Sequence, residues 1–85
     1  MKYITKDELS NYNNALIIDV RMPNEYNTGH INNSINIPVT NILSGIKKYN
    51  KDKKIILYCD HGKRRLMAYR LLDSIGYKNL YILKK

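Results

Sequence analysis

Cys59 is the only cysteine in the chain, and the residues around it are of the types that charge and hold a thiol. It ends the apolar run Ile55-Ile56-Leu57-Tyr58 and is followed by Asp60-His61-Gly62-Lys63-Arg64-Arg65. The nucleophile is a thiolate, not a thiol, so positive potential at the sulfur decides its use. Backbone N–H groups curling from the turn can supply that potential. So can the unpaired N–H donors of a helix that begins just after it. Lys63, Arg64 and Arg65 add formal charge, and Asp60 works against them. Gly62 lets the backbone turn tightly. A site of this kind can carry two-step covalent catalysis. A cysteine packed only as a small hydrophobe would not require such a loop.

Three cations in the first turn of a helix oppose its dipole, at a cost of roughly a few tenths of a kcal/mol each. A bound anion would offset that, with Arg64 the expected contact. His61 is assigned to the loop, where proton donation and simple exposure weigh equally. Cys59, His61, His30 and Asp60 match no common metal-ligand spacing. No metal and no cofactor is therefore expected.

The elements that must position these groups follow from the pattern. Residues 55–59 read as a buried strand. Ala68, Leu71, Leu72 and Ile75 recur at helical spacing, and Gly76 stops that helix. Earlier in the chain, Tyr3-Ile4 is a short strand. Thr5 and Glu8 form a capping box for a brief helix to about Tyr12. Ala15 to Val20 is a second strand whose run Leu16-Ile17-Ile18 suits burial on both faces. Pro23 can open a short helix carrying Glu25 and Tyr26. Ile35-Asn36-Ile37 is a third strand. Val39, Ile42, Leu43 and Ile46 predict a helix to about Tyr49. Leu80 to Leu83 closes the pattern as a last strand. Strands alternating with helices predict an α/β domain: three α/β/α layers on a mainly parallel sheet of four to five strands.

Length and charge bound the function. Eighty-five residues make one domain with one core. There is no Phe or Trp, so aliphatic residues and eight tyrosines fill the core and its rim. The net charge of +8 is uneven. Residues 1–30 hold three basic and four acidic side chains, whereas residues 47–85 hold twelve basic and three acidic ones. The excess lies in the half carrying the cysteine, which favours a small anion or an acidic partner protein. No aromatic RNA-binding motif is present, and a nucleic-acid partner is not expected. No run approaches the ~20 apolar residues of a membrane span. Met1 to Glu8 lacks the apolar core of a signal peptide, so a cytoplasmic location is expected.

At this point the chain resembles the single-domain rhodanese-like sulfurtransferases. Asp19-Val20-Arg21, Glu25-Tyr26, Gly29-His30-Ile31 and Asn33-Ser34-Ile35-Asn36-Ile37-Pro38 follow the family's first signature in order and spacing. Cys59-x-x-Gly62-x-Arg64 follows its active-site loop. The resemblance implies the rhodanese-like fold and a Cys59 persulfide, loaded from a thiosulfate-like donor and unloaded onto a thiol or an acidic acceptor protein. It implies that the loop Asp60 to Arg65 holds the anionic sulfur. Asp19, Arg21, Glu25 and His30 are read as structural support beneath the site. Asp60 and Arg65 depart from the family pattern, where a basic and a small hydroxyl residue are common. Two rival readings remain. Cys59-x5-Arg65 has the spacing of a phosphatase or arsenate reductase on the same fold, although the loop reads as sized for one sulfur atom and not for a phosphate group. A non-catalytic sulfur carrier or binding module is the other.

Overall fold

The computed structural model describes residues 1–60 and 62–84. Five strands form one parallel sheet: β1 (Lys2–Ile4), β2 (Leu16–Asp19), β3 (Ser34–Asn36), β4 (Ile55–Tyr58) and β5 (Leu80–Leu83). Their spatial order is β1-β5-β4-β2-β3. β4 is central, and all four of its residues are buried. This is why it reads as an unbroken apolar run with no polar face.

The pleat splits the core in two. Ile55 and Leu57 point into a cluster with Ile18, Val20, Ile42, Ile46, Ala68 and Leu72. Ile56 and Tyr58 point the other way, joining Ile4, Leu83, Leu9 and Tyr81. Cys59 continues the alternation into the first cluster. The longest helix, Gly62–Ser74, covers that first face through Ala68 and Leu72. Gly76, at φ +101°, ends it. The Tyr77 amide donates back to the Leu72 carbonyl at 3.1 Å and the Gly76 amide to the Asp73 carbonyl at 3.1 Å. These are the bonds of a left-handed C-terminal cap.

The predicted helix from Val39 to about Tyr49 is a composite instead. A 3₁₀ turn, Val39–Asn41, leads into a single α turn, Ile42–Gly45. Val39, Ile42 and Ile46 are buried as the spacing predicts, but Leu43 is 42 % exposed. The tighter 3₁₀ pitch rotates the next turn, so a face drawn at 3.6 residues per turn drifts off the core. Gly45 holds the segment close to the sheet. A Cβ there would come within 2.6 Å of Ile37 Cγ2. The first predicted helix is likewise a 3₁₀ segment, Lys6–Asn11, with the Thr5 amide donating to Glu8 Oε1 at 2.8 Å. With the short helix Pro23–Thr28, the α elements in chain order are α1 (Pro23–Thr28), α2 (Ile42–Gly45) and α3 (Gly62–Ser74).

Candidate active site

Cys59 lies one residue past β4, at the C-terminal edge of a parallel sheet, where open α/β folds place their ligands. α3 starts three residues later, and its first turn folds over the sulfur. The Arg65 amide donates to Cys59 Sγ at 3.3 Å. The Arg65 side chain returns to the same residue, with Nη1 donating to the Cys59 carbonyl at 3.2 Å. The amide of an arginine thus meets the sulfur while its guanidinium braces the backbone beneath it. Cys59 is 0 % exposed. A reagent reaches this thiol only when the residues covering it move aside.

The acidic neighbour of the cysteine does not face it with an unpaired charge. Asp60 Oδ2 accepts from Arg21 Nη1 at 3.1 Å, and its Oδ1 accepts from the Tyr58 hydroxyl at 2.9 Å. Arg21 is itself buried, at 6 % exposure. Its Nε donates to both oxygens of Asp19, at 3.0 and 3.1 Å, and its Nη2 donates to Asp19 Oδ2 at 2.8 Å and to the Gly29 carbonyl at 2.7 Å. Hydrogen bonding to Asp19 is the main reason the guanidinium sits above its ordinary pKa, against the opposing effect of burial. Burial, and then donation to Asp60, raise the Tyr58 phenol. A carboxylate–guanidinium–carboxylate chain therefore ties the end of β2 to the turn after β4. Asn36 joins it from β3, its amide donating to the Asp19 and Arg21 carbonyls at 2.9 Å each.

A second tie crosses from α1 to α3. Arg64 Nη1 and Nη2 donate to Glu25 Oε1 and Oε2 at 2.6 and 2.9 Å, a bidentate pair. The Met22 amide also donates to Glu25 Oε1 at 3.1 Å. The Arg64 bond, and then the Met22 amide, hold the Glu25 carboxyl down at about 2. Glu25 in turn raises Arg64, first through the hydrogen bond and then through its charge. The anion that offsets the cationic helix start is supplied here by the chain itself. Arg64 was expected to meet an external anion; in this state its fork is filled by Glu25.

The remaining predicted residues fall as follows. Gly62 and Lys63 open α3 and are exposed. His30 is exposed, its Nδ1 hydrogen-bonded to the Tyr26 carbonyl at 2.8 Å and its ring stacked on Tyr26 at 3.7 Å. It steadies the end of α1. His61 lies outside the described residues. Among the described residues, no group of three or more His, Cys, Asp or Glu side chains is assembled for a metal, and no helix is long and apolar enough to cross a membrane. A cavity of about 520 Å³, lined by Leu43, Ile46, Tyr49, Lys51, Ile75 and Tyr77, sits at the far end of α3 from Cys59. Sequence reasoning missed Tyr58 and Asn36. Their positions beside Asp60 and inside the Asn33–Pro38 motif were visible, but not the partners they reach.

The family model for the rhodanese-like domain matches residues 4–85. Uncharacterized protein YqhL of Bacillus subtilis is 36% identical over 85 residues, covering 99% of this chain and 68% of that protein. The thiosulfate:glutathione sulfurtransferase of Saccharomyces cerevisiae is 35% identical over 79 residues, covering 78% of this chain and 57% of that protein. A tRNA uridine(34) hydroxylase of Pelagibacter ubique is 38% identical over 81 residues and 92% of this chain, but the match spans only 27% of that larger protein. Among solved structures, the human single-domain sulfurtransferase TSTD1 superposes with a TM-score of 0.87 at 25% identity, over 98% of this chain and 88% of its own.

Proposed function

Because the chain belongs to the rhodanese-like domain family, we propose that it is a sulfurtransferase whose nucleophile is Cys59. The Cys59 thiolate attacks the outer sulfur of a thiosulfate-like donor. A new S–S bond forms, the donor's own S–S bond breaks, and sulfite leaves with the bonding pair. Cys59 then holds a persulfide. A thiolate acceptor attacks the outer sulfur, takes it as its own persulfide, and returns Cys59 as a thiolate. The relatives that carry the sulfurtransferase name support this class, one of them pairing thiosulfate with glutathione.

The observation that carries the reading is the Arg65 amide on Cys59 Sγ at 3.3 Å, in the first turn of a helix that starts beside the thiol. A main-chain donor aimed at sulfur stabilises an anion there in the way oxyanion-hole donors do. Asp60, Gly62, Lys63, Arg64 and Arg65 form the anion-binding loop in this reading. Asp19, Arg21 and Glu25 keep it in place. The phosphatase reading asks the Arg65 guanidinium to clamp an oxyanion, whereas that group is bonded to the Cys59 carbonyl.

The test is intact-protein mass after incubation with thiosulfate. Wild type gains one sulfur atom and loses it again on addition of cyanide or a small thiol; Cys59→Ser gains none. A gain that persists in Cys59→Ser removes Cys59 from the role. Hydrolysis of an aryl phosphate, lost in Cys59→Ser and unaccompanied by sulfur loading, would replace the reading with the phosphatase one.

A further inference from the structure

α3 has a second face that lies mostly outside the core and meets it at the half-buried Leu71. Lys63, Leu66, Met67, Arg70, Leu71 and Ser74 line a shallow depression of about 460 Å³ along it. They recur at the spacing of one helix face, turned away from the buried Ala68 and Leu72. Leu66 and Leu71 are half-buried and Met67 is 55 % exposed, so the floor is apolar and open. Lys63 and Arg70 rim it. The strip begins beside the active-site turn, because Lys63 is the second residue of α3 and Cys59 receives a hydrogen bond from that same first turn.

Charge says what this strip fits. α3 carries Lys63, Arg64, Arg65 and Arg70 against the single acid Asp73. Arg64 is matched by Glu25, and Arg65 is turned to the Cys59 carbonyl. Lys63 and Arg70 are the cations left facing out along the strip, in the half of the chain where twelve basic residues meet three acidic ones. A methionine on an open surface re-packs around varied apolar side chains. The lining holds no aromatic ring on which a base could stack, which disfavours single-stranded RNA.

We propose that this face of α3 docks the sulfur acceptor: an acidic protein segment that seats an apolar side chain on Leu66, Met67 and Leu71 and presents its cysteine to Cys59. The proposal rests on the sulfurtransferase reading for its chemistry, since the docked thiolate takes the outer persulfide sulfur and Cys59 leaves as a thiolate. Transfer is thermodynamically self-contained, with one S–S bond formed and one broken, and needs no oxidant or reductant.

The experiment separates docking from chemistry. Two fluorescent peptides are compared, each with one cysteine flanked by leucine, one bearing four glutamates and the other four lysines. Binding is read by anisotropy with the unloaded protein, and sulfur transfer by mass with the thiosulfate-loaded protein. The acidic peptide should bind and accept sulfur about tenfold better than its lysine counterpart at low salt, with the gap closing at high salt. Arg70→Glu should abolish or invert the preference, and Met67→Ser should weaken binding of both peptides while leaving the preference in place. Both sites are exposed, and both variants should keep wild-type circular dichroism and wild-type transfer from thiosulfate to cyanide. Equal behaviour of the two peptides in wild type overturns the proposal. So does a preference untouched by Arg70→Glu, or tRNA binding lost in Arg70→Glu without any peptide preference. If no sulfur loads but the acidic peptide still binds in an Arg70-dependent way, the docking surface stands and the sulfurtransferase reading falls.

Discussion

Replacing Asp60 by alanine tests whether the turn after β4 is held by the buried charge chain. The substitution removes the acceptor of Arg21 Nη1 and of the Tyr58 hydroxyl. Arg21 keeps its bonds to Asp19, so its charge is not stranded. The Arg21 side chain is 8% exposed, but that of Asp60 is 32% exposed. The pair therefore lies between a buried one and a surface one, and its loss costs about 1 kcal/mol. The Tyr58 hydroxyl, in a residue only 9 % exposed, loses a charged acceptor and adds about 1 kcal/mol more. The total, about 2 kcal/mol, lowers the urea midpoint by roughly 2 M for a domain whose m-value is about 1 kcal/mol/M. Asp60→Asn keeps one oxygen acceptor and should lose about half as much. Equilibrium urea unfolding at neutral pH measures both. If Asp60→Ala unfolds within about 0.3 kcal/mol of wild type at unchanged slope, the chain from Asp19 to Tyr58 does not hold the turn. A double-mutant cycle with Tyr58→Phe adds a second check: the two costs should be clearly less than additive, because both variants delete the same bond.

Two further outcomes follow from the same contacts. Glu25 is held at about 2 by Arg64 and the Met22 amide, below the ordinary value of 4.5. A depressed carboxyl contributes stability that is complete above about pH 4.5 and disappears as pH falls through about 2. Glu25→Gln should therefore flatten the melting-temperature profile between those limits, and an unchanged profile would assign the acid sensitivity to other groups. Gly45→Ala forces a Cβ to within 2.6 Å of Ile37 Cγ2. It should cost about 1–3 kcal/mol by overpacking, read as a fall in melting temperature; a melting temperature equal to wild type would show that Ile37 yields without strain.

How much of this was legible in the sequence depends on what kind of signal each part leaves. The strands Leu16–Asp19, Ile55–Tyr58 and Leu80–Leu83 are written as apolar runs because both faces of the sheet are covered. The stop at Gly76 is written because a left-handed cap demands a residue without a Cβ. Val39 to Ile46 was misread in form, and in burial at Leu43, while Val39, Ile42 and Ile46 go inward as expected. Periodicity reports which side chains go inward, and it does not report the pitch of the backbone that takes them there. The Arg64–Glu25 pair and the Arg21–Asp60 pair each join residues 39 apart. Nothing local in either segment names the other. Treating Arg64 as waiting for an external anion was the natural inference from the helix start alone, and it omitted the acid that the topology brings across from α1.

That topology is what makes the two separated motifs one unit. β2 and β4 are neighbours in the sheet, with Asp19 in register with Tyr58. Extending both strands by two residues sets Arg21 beside Asp60, and their ion pair at 3.1 Å is the result. The intervening step sets Val20 beside Cys59, both 0 % exposed and both in the core beneath α3. A slip of one residue would turn the cysteine to the opposite face, away from the amide of Arg65, and would send Tyr58 and Asp60 to the wrong side of their partners. The polar ties at the sheet edge therefore act on register as much as on stability. Replacing Asp60 leaves the strands paired through their buried aliphatic residues. What it loosens is the last two residues of that register, the ones that decide where the sulfur points.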